Sequence, residues 1–389
     1  MPFPHYFCYT PLHCVAARTM RIDEKRLLET FLELVRIDGP SKKERDVADY
    51  VKGCLADIVD EVIEDDAGPR IGGNAGIVVA RIHGADQASS LIFATHLDTI
   101  SSTRGVAPGI VDGYIKSGGR TILGADDRAA IAAVIEFARC LKEGGGKTVS
   151  LELLFTVGEE LGLRGIKAMD RRLLRGRLAY VLDSEQLPGT IVNRGPFGEK
   201  LDIRVKGRSA HAGAEPEKGI SAIAIASRAI AKMKLGRVSE EVRANIGLIS
   251  GGIATNIVPP SVTVQGEARG YSQEELMEQV EHMWRCFEEE ALAVGAEVDF
   301  KNSRDYDGFF IGEESDLFAK AASAAEGAGL KVAAGSSCGA SDANVLNFWG
   351  IEALTLGTGF ERAHSHEERI AVSSLVGCCR WIAGIALNA

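Results

Sequence analysis

Five short stretches of this chain, far apart in sequence, carry side chains of the types that bind metal ions. Together they supply two imidazoles and several carboxylates, which suit zinc, cobalt or manganese. One carboxylate between two divalent ions can bind both of them, so the same set could hold a two-metal centre. The stretches are His96-Leu97-Asp98, Gly124-Ala125-Asp126-Asp127, Gly158-Glu159-Glu160, Leu182-Asp183 and His364-Ser365.

Three of these stretches directly follow apolar runs that are typical of buried strands, at residues 91–95, 153–157 and 178–182. In open α/β sheets the ligand crevice lies outside the carboxyl ends of the strands. The polar residues after the strands therefore predict a metal site at one edge of a sheet. Each stretch alone is weak evidence, because a His-x-Asp after a strand is more often a loop feature and a Glu-Glu pair usually lies on a solvated face.

Length and composition limit the classes of protein to which the chain can belong. With 389 residues, it exceeds the size at which one core keeps growing, so two domains are expected. The net charge of −10 argues against nucleic-acid binding, which needs a basic patch. No stretch reaches the roughly 18 apolar residues of a membrane span. The eight cysteines form no Cys-x-x-Cys pair, which favours reduced thiols in a cytoplasmic protein.

The N-terminal region differs from the rest of the chain. Residues 1–20 lack the charged start and apolar run of a signal peptide, and a clear helical pattern begins after Met20. We expect this segment to be a non-native or disordered extension, either from a misassigned start codon or as a genuine part of the protein. Further on, Ser41 and Glu44 have capping-box spacing for a helix that ends near Leu55.

Hydrophobic periodicity divides the remainder into a discontinuous domain and an insertion. Helix and strand patterns alternate up to Asp183, which favours an α/β domain with a mixed twisted sheet flanked by helices. From Glu199 to Phe300 the order β-α-β-β-α-β predicts a ferredoxin-like α+β domain. We therefore expect a catalytic domain at 21–195 and 309–389, and an inserted lid or dimerisation domain at 196–308.

The order and context of the motifs resemble one known family. The ligand stretches and the late His-Ser-x-x-Glu of residues 364–368 are similar to those of the two-zinc peptidases. That family includes tripeptide aminopeptidase (peptidase T), glutamate carboxypeptidase, acetylornithine deacetylase and succinyl-diaminopimelate desuccinylase. The similarity extends from about residue 23 to the C-terminus and is strongest to the peptidase T branch. The stretches typical of that branch are residues 121–127, 158–163, 209–213 and 219–223.

The resemblance implies a role for each candidate metal ligand. Asp126 would bridge two divalent ions, with zinc expected and cobalt or manganese as alternatives. His96 and Asp183 would complete one site, and Glu160 and His364 would complete the other. Each ion would then have one imidazole, one terminal carboxylate and half of the bridge, which leaves room for a water molecule whose pKa the ions lower.

Two acidic neighbours of these ligands are expected to act without binding metal. Glu159 would be the general base that takes the proton of the water and passes it to the leaving nitrogen. Asp98 would hydrogen-bond the far nitrogen of His96 and fix its tautomer, although a simple turn residue is the alternative. The family pattern selects His364 rather than His366 as the last ligand, which leaves His366 facing solvent near the site.

Two positions depart from the family pattern. Arg128 replaces the usual Lys after Asp126-Asp127, so a structural ion pair can survive but with a different geometry. Ala340 stands in the loop 338–342, where relatives more often have Gly. Because Ala restricts the backbone more than Gly does, detailed substrate specificity stays open.

Three polar residues of the insertion are candidates for substrate binding: His211, Asn256 and Arg269. Taken alone, a turn His, a loop Asn and a strand Arg on a solvated face are the more natural interpretation. The resemblance implies instead that His211 (commonly from the partner subunit) and Asn256 lie near the reacting carbonyl, and that Arg269 binds a substrate carboxylate. An imidazole can stabilise an oxyanion, and a guanidinium matches a carboxylate.

These expectations predict a cytoplasmic, metal-dependent exopeptidase that hydrolyses short peptides and forms a homodimer through the insertion. The alternative is an N-acyl-amino-acid amidohydrolase with the same metals, and the pocket around Arg269 and Asp342 would distinguish the two. A non-catalytic binding protein is a remote alternative, because it would be expected to have lost Glu159 or a ligand. Neither a nucleic acid nor a membrane is an expected partner.

Overall fold

The computed structural model describes residues 20–84, 90–144 and 148–388. The expected extension at residues 1–20 therefore lies outside the described residues, except for Met20. Two of the cysteines, Cys8 and Cys14, also lie outside them. Within the described ranges, no helix is long and apolar enough to cross a membrane.

The secondary structure alternates between helices and strands over most of the chain. The helices are α1 (Glu24–Arg36), α2 (Arg45–Leu55), α3 (Ala67–Arg70), α4 (Ala125–Gly144), α5 (Arg164–Ala168), α6 (Ala222–Lys232), α7 (Gln273–Leu292), α8 (Asp316–Gly327), α9 (Asp342–Phe348) and α10 (Val372–Leu387). The first nine strands are β1 (Glu61–Glu64), β2 (Val78–Ile82), β3 (Ser90–His96), β4 (Gly109–Val111), β5 (Tyr114–Lys116), β6 (Ser150–Thr156), β7 (Leu178–Val181), β8 (Thr190–Gly195) and β9 (Phe197–Lys206). The others are β10 (Gly236–Arg237), β11 (Val242–Gly251), β12 (Ser261–Gly270), β13 (Glu297–Tyr306), β14 (Phe309–Phe310), β15 (Ala333–Ser336), β16 (Glu352–Leu356), β17 (Phe360–Glu361) and β18 (Arg369–Ala371).

The start of α2 differs from the sequence-based expectation. A capping box formed by Ser41 and Glu44 was expected, and this prediction is wrong. Glu44 is the N-cap residue but makes no side-chain capping hydrogen bond. The hydroxyl of Ser41 instead donates to Asp98 Oδ2 at 2.6 Å, and hydrogen bonds to an ionised acceptor are stronger than those between neutral groups.

A large mixed sheet forms the centre of the first domain. Its strands follow the order β1-β2-β6-β3-β7-β16-β8-β14, and β15 pairs with β8. β3 runs parallel to β6 and β7, whereas β2 runs antiparallel to β6. His96, the last residue of β3, pairs with Thr156, the last residue of β6. The predicted mixed α/β sheet is confirmed, and the carboxyl ends of its parallel strands meet at one edge.

Aromatic packing fixes α4 against this sheet. The Phe93 ring in β3 lies 5.8 Å from the Phe137 ring in α4 and 5.9 Å from the Tyr180 ring in β7, measured between centroids. All three side chains are fully buried. Burying a side chain of this size contributes about 1.5–3 kcal/mol, so these contacts hold α4 against β3 and β7 in a well-packed core.

The inserted segment forms a second sheet with its own core. The strand order is β10-β11-β12-β9-β13, and every pairing is antiparallel. α6 and α7 supply apolar side chains to the core of this sheet, among them Ala226 and Phe287. Apart from the short edge strand β10, the order is β9-α6-β11-β12-α7-β13. The predicted ferredoxin-like order is therefore confirmed.

The chain passes between the two sheets at two positions. β8 belongs to the large sheet and ends at Gly195, and β9 begins the second sheet at Phe197. The second sheet ends at Tyr306, and β14 returns to the large sheet at Phe309. These crossings are close to the expected domain limits, 195/196 and 308/309, and the division into two domains stays a prediction. Below, residues 197–306 are called the inserted domain, and the described residues of 20–195 and 309–388 are called the catalytic domain.

Candidate metal centre

The side chain of Asp126 lies between two imidazoles. Asp126 Oδ1 is 3.1 Å from His96 Nε2, and Asp126 Oδ2 is 3.4 Å from His364 Nε2. A further carboxylate lies on each side: Asp183 Oδ1 is 3.9 Å from His96 Nε2, and Glu160 Oε1 is 3.1 Å from His364 Nε2. The two oxygens of Asp126 thus face different sets of donors, as a bridging carboxylate requires.

Six side chains form two groups whose donor atoms could share an ion. Within each group these atoms lie within 4.8 Å of one another, and the groups are His96 with Glu159 and Asp183, and Asp126 with Glu160 and His364. The sequence-based assignment differs at Glu159, which was expected not to bind metal. Its carboxylate lies within the first group, so it can contact either an ion or a reacting water, and its role as a base stays a prediction. His366 is exposed and belongs to neither group.

The chemistry of this donor set fits divalent cations. Imidazoles and carboxylates are ligands of zinc and related metals, and the close contacts of Asp126, Asp183 and Glu160 with basic side chains are to the imidazoles of His96 and His364. Glu160 Oε1 is buried and has no hydrogen-bond partner among the described residues, although His364 Nε2 is near. A buried carboxylate oxygen without a hydrogen bond is rare and is suited to an ion. The residues therefore fit a dinuclear metal site.

The pKa values of the cluster reflect its burial and the several carboxylates that lie close together. Burial and the neighbouring Asp126 carboxylate raise the pKa of Asp183 to about 8. The carboxylates of Asp126 and Glu160, which lie 3.4 Å and 3.1 Å from His364 Nε2, raise the pKa of His364 to about 10. Burial and the charge of Asp183 raise the pKa of Glu159 well above its usual value. The cluster therefore retains protons unless a cation replaces them, and metal binding is expected to release protons.

Local structure brings the donors to one edge of the sheet. β3 ends at His96, while Glu159 follows β6 by three residues and Asp183 follows β7 by two. Asp126 precedes the regular turns of α4, with a non-helical φ of −80° and ψ of 102°. His364 lies on the turn between β17 and β18 with a φ of 62°, a left-handed conformation uncommon outside glycine. β17 and β18 continue into a small sheet with β5 and β4, which supports this turn.

Asp98 connects three segments next to the ligands. His96 Nδ1 lies 3.0 Å from the main-chain oxygen of Asp98 and 3.5 Å from its carboxylate Oδ1. The carboxylate oxygens accept hydrogen bonds from the N–H groups of Glu159 at 3.0 Å and Glu160 at 3.2 Å. In place of the expected carboxylate contact, the ring nitrogen is therefore closest to the main-chain carbonyl. The carboxylate is occupied by these amides and by Ser41, so it orients the loop that carries Glu159.

Glu368 supports Asp126, the candidate bridging residue, and sequence reasoning missed this role. Its carboxylate accepts hydrogen bonds from the N–H groups of Leu123 at 2.8 Å, Gly124 at 2.7 Å and Asp126 at 3.0 Å. Burial raises the pKa of Glu368 to about 7. The turn that carries His364 thus also anchors the backbone of Asp126. The only trace of this role in the sequence is the acidic residue that ends the His-Ser-x-x-Glu stretch.

The Asp127-Arg128 pair lies behind the ligands. Asp127 Oδ2 accepts hydrogen bonds from the Thr95 hydroxyl and from the N–H of His96, the latter at 3.2 Å. Arg128 is fully buried, and its guanidinium donates to the main-chain oxygen of Gly39 at 3.5 Å. Its Nε and Nη1 have no hydrogen-bond partner among the described residues. Among the described residues, Arg128 therefore does not form the expected ion pair. Its guanidinium is directed to the main-chain oxygen of Gly39 instead.

A cavity of about 680 Å³ opens beside the donors. Its walls include Asp126, Glu159, Glu160, Asp183 and His364 from the metal centre, Arg269, Asp305 and Tyr306 from the inserted domain, and residues 336–341. The Arg269 guanidinium donates to the main-chain oxygen of Cys338 at 3.4 Å and pairs with Glu267 at 3.0 Å. Asp342 is buried and accepts a hydrogen bond from the Thr156 hydroxyl at 2.6 Å. The structure thus brings Arg269 to the cavity, and its role in binding substrate stays a prediction.

His211 and Asn256 lie together on the surface of the inserted domain. Both are exposed, and neither is among the described residues that line the cavity. The N–H of Ala212 donates to the main-chain oxygen of Asn256 at 3.0 Å, which joins the two loops. Within one chain these residues are therefore not brought to the metal ligands. Their predicted contact with substrate requires a second subunit or another position of the inserted domain.

Models of known families match the two parts of the chain separately. Residues 77–187 match peptidase family M28, and residues 193–294 match the M20 peptidase dimerisation domain. The first range contains the strands that carry His96 and Glu159, and the second covers most of the inserted domain.

Full-length relatives are also found. The Bacillus subtilis protein YqjE, which is described as uncharacterized, is 40% identical over 364 residues, covering 94% of this chain and 98% of that protein. A peptidase T of Clostridium perfringens is 22% identical over 397 residues, covering 90% of this chain and 96% of that protein.

Two solved structures share both fold and sequence with this chain over nearly all of its length. The aminopeptidase PepT of Bacillus cereus has a TM-score of 0.86 and 38% identity, covering 94% of this chain and 99% of that one. A tripeptidase of Staphylococcus aureus has a TM-score of 0.89 and 36% identity, covering 94% of this chain and 98% of that one. The resemblance inferred from the motifs is confirmed: the chain belongs to the peptidase T-like branch of the M20 metallopeptidase family.

Proposed function

We propose that the chain is a metal-dependent exopeptidase that hydrolyses short peptides, with tripeptides as the first candidates. The observation that carries this proposal is the placement of Asp126 between two imidazole–carboxylate sets, beside Glu159 and open to a cavity. The likeness to an aminopeptidase and a tripeptidase supports peptide substrates and does not favour the N-acyl-amino-acid deacylase. The presence of a complete donor set opposes a non-catalytic binding protein.

The metal ions of this site are proposed to be two per chain, with zinc as the expected metal. The residues that would hold them are His96, Asp126, Glu160, Asp183 and His364. When bound, these ions would polarise the scissile carbonyl group and lower the pKa of a water molecule. The fit rests on the donor types and on the buried Glu160 oxygen that has no hydrogen-bond partner among the described residues.

Glu159 is proposed to transfer a proton from the attacking water to the leaving nitrogen. Its carboxylate accepts the proton that the attacking water releases and donates it to the leaving nitrogen. In the metal-free chain, burial and the charge of Asp183 raise the pKa of Glu159. The hydrogen bond from the N–H of Glu159 to Asp98 holds the backbone in place.

Arg269 is proposed to bind the carboxylate of the substrate. Its side chain forms part of the cavity wall that the inserted domain provides. Its Nε is buried and has no hydrogen-bond partner among the described residues, so a donor remains for a ligand. A guanidinium forms strong, directed hydrogen bonds with a carboxylate. The cavity measures about 680 Å³. This size, with a guanidinium for the C-terminal carboxylate, favours short peptides with a free C-terminus.

The chain is further proposed to form a homodimer in which the partner's His211 and the partner's Asn256 complete the site. The matched peptidase dimerisation domain supports this assembly. Within the described residues, β10 pairs with β11 only at Arg243 and Ala244, so the later part of β11 is an open edge, which can pair with another chain. Exposed apolar side chains on this part of the inserted domain favour an interface. They are Ile223, Leu248, Ile249 and Ile253, with exposures of 42%, 64%, 53% and 71%.

A cytoplasmic location is proposed from the cysteines. Those that the structure describes are free thiols: Cys54, Cys140, Cys286, Cys338, Cys378 and Cys379. Persistent free thiols are typical of a reducing compartment. Redox-state labelling of the protein in intact cells would test this location, and disulfide-bonded forms would contradict it.

The function is tested by combining metal analysis with a substrate panel. Purified protein saturated with zinc is offered tripeptides, dipeptides and N-acyl amino acids, and its metal content is measured by elemental analysis. We expect two ions per chain, hydrolysis of tripeptides with release of a terminal residue, and loss of activity on chelation that zinc restores. Preferential hydrolysis of N-acyl amino acids would favour the deacylase, and activity that survives complete metal removal would contradict the proposal.

A further inference from the structure

Lys167 of α5 contacts both the inserted domain and the loop that carries Glu159. Its Nζ donates to Asp305 Oδ1, near the end of β13, at 2.9 Å. The same Nζ donates to the main-chain oxygen of Gly162 at 2.9 Å. Gly162 belongs to the loop 158–163, which also contains the metal-site residues Glu159 and Glu160. One ammonium group therefore joins a strand of the inserted domain to the loop that holds the proposed base.

The loop and α5 form one hydrogen-bonded unit. The N–H of Leu163 donates to the main-chain oxygen of Glu159 at 2.7 Å, and the N–H of Arg164 donates to that of Gly158 at 3.1 Å. Gly162 has a φ of 80°, a conformation that glycine adopts readily. Because Glu159 and Gly162 lie in the same tight turn, a displacement of the Gly162 carbonyl changes the position of Glu159.

A second cation and partial burial strengthen the contact between Lys167 and Asp305. Lys200 of β9 pairs with the other oxygen, Asp305 Oδ2, at 2.8 Å. The side chains of Lys167 and Asp305 are 31% and 17% exposed, so water screens their interaction only in part. Charge-assisted hydrogen bonds in such surroundings are stronger and more directional than surface ion pairs. Asp305 and its neighbour Tyr306 also line the cavity, which places the contact at the substrate site.

We propose that Lys167 and Asp305 are positioning residues that couple the placement of the inserted domain to the placement of Glu159. With the inserted domain over the cavity, Asp305 holds the Lys167 ammonium against the Gly162 carbonyl, and the loop is restrained. When the inserted domain moves away, Lys167 loses this partner and the loop loses the restraint. Enclosure of the substrate and correct placement of the base then occur together. The inference rests on the proposed function, because it deepens the role of Glu159.

A second ion pair between the domains provides a matched control. Arg194 of β8 pairs with Glu241 of the inserted domain, with one nitrogen–oxygen distance of 3.2 Å. The Arg194 guanidinium also lies 4.6 Å from the centre of the Tyr271 ring. Among the described residues, neither Arg194 nor Glu241 makes a side-chain hydrogen bond or ion pair to the loop 158–163. Removing this pair weakens the docking of the inserted domain but leaves the Gly162 contact intact.

The kinetic test uses the zinc-loaded enzyme and a tripeptide. Three variants, Asp305→Asn, Lys167→Met and the double variant that carries both changes, are compared with the control Glu241→Gln. We expect kcat to fall between about tenfold and a hundredfold for Asp305→Asn and Lys167→Met, the range for misplaced catalytic groups. KM and metal content should change little, and the double variant should be no slower than Lys167→Met because both changes break one coupling. Lys167→Arg should retain most of the activity. Glu241→Gln should keep kcat and raise KM.

A second measurement separates this inference from the proposed function. Amide hydrogen exchange in residues 158–164 of the metal-loaded protein should be faster in Asp305→Asn than in the wild type and in Glu241→Gln. This readout needs no substrate, so it stands even if the protein cleaves no peptide. If Asp305→Asn raised KM without lowering kcat, or left loop exchange at the rate seen in Glu241→Gln, the pair would only fasten the domains and the proposal would be wrong. Should Asp305→Asn fold poorly, Lys167→Met tests the same contact from the catalytic domain.

Discussion

The metal-binding edge of the catalytic domain and the inserted domain contribute to the site in different ways. At the edge, the candidate ligands contact one another, and buried carboxylates such as Asp98 and Glu368 hold their backbone. In the inserted domain, Arg269 lines the cavity, whereas His211 and Asn256 are exposed on the surface. The candidate metal ligands are thus brought together within one folded chain. Completion of the substrate site depends on how domains, and we propose subunits, are placed relative to one another.

Removing the carboxylate that we propose to bridge the two ions should have the largest effect on activity. Because Asp126 faces both donor sets, Asp126→Ala should lose both ions and lower kcat by more than about 10⁴-fold, beyond the loss of one acid/base group. Asp183→Ala is the matched variant and should mainly empty one site. Elemental analysis and tripeptide turnover measure both effects. A wild type with one ion per chain under saturating zinc would contradict the two-metal centre.

Changing the proposed base should separate chemistry from metal binding at the same edge. Glu159→Gln should keep both ions and nearly the same KM while kcat falls by roughly 10²–10⁴-fold, since the proton acceptor is lost. Metal content decides between the two roles open to this residue, whose carboxylate lies within reach of the first donor group. Loss of one ion in Glu159→Gln would identify Glu159 as a ligand, and near-normal turnover would rule it out as the base.

Subunit complementation should test whether the inserted domain acts across a dimer. His211→Ala should lower kcat by about 10²–10³-fold, as expected for the loss of one group at the oxyanion. When it is mixed with Glu159→Gln, half of the randomly formed dimers are mixed, and each has one intact site. Activity should therefore return to about a quarter of the wild-type value in a two-fold symmetric dimer. Absence of recovery, with mixed dimers verified by mass spectrometry, would exclude a contribution from the partner.

Arg269 should give a smaller effect, confined to substrate affinity. Arg269→Ala should raise KM by about tenfold to a hundredfold for free peptides, the range for a lost hydrogen bond to a charged group. Peptides amidated at the C-terminus should already be poor substrates of the wild type. The KM of Arg269→Lys should lie between those of the wild type and Arg269→Ala, because lysine keeps the charge but lacks the planar guanidinium. Equal cleavage of free and amidated peptides by the wild type would show that Arg269 is structural.

The smallest expected effect is a pH-dependent loss of stability in the metal-free protein. The pKa values of Asp183, about 8, and His364, about 10, exceed the ordinary values of 3.8 and 6.5. In both cases the folded state binds more protons than the unfolded state, so the free energy of unfolding falls as pH rises. The loss occurs between the ordinary and the raised pKa of each group. We expect Tm to fall by several degrees between about pH 6 and about pH 9.

Calorimetry of the metal-free and metal-loaded forms checks this prediction. The loaded form should lose less stability over the same range, because a cation replaces the protons. Asp183→Asn removes one titrating group and should reduce the pH dependence of the metal-free protein. A Tm of the metal-free protein that rises with pH would contradict the assignment of these protons.

Much of the fold and of the metal centre could be predicted from local patterns. The apolar run before His96 and the run before Asp183 identify buried parallel strands, and residues after such strands meet at one edge of the sheet. The alternation in β9 and the helices of the inserted domain likewise indicated an independent unit. These features depend on periodicity within short windows, which a sequence displays directly.

The contacts of Glu368 and Ser41, which support the candidate ligands, escaped prediction for a physical reason. Glu368 binds the N–H of Leu123 across 245 positions in the chain, and Ser41 binds Asp98 across 57. Hydrogen bonds of this kind require two loops to meet at a separation and angle set by the packing of the elements that carry them. The local spacing of Ser41 and Glu44 favoured a helix cap, but in the folded chain the Ser41 hydroxyl donates to the buried carboxylate of Asp98.

By itself, the sequence determined which donor types are present, that several follow strand ends, and that a ferredoxin-like domain interrupts the catalytic domain. The tertiary structure alone decided that the two oxygens of Asp126 face different imidazoles, that the Asp98 carboxylate binds the amides of the Glu159 loop, and that Lys167 joins this loop to the inserted domain. Donor types and periodicity are properties of neighbouring residues. The contacts depend on distances of a few ångströms between segments far apart in the chain, and only the packing of complete elements against each other defines those distances.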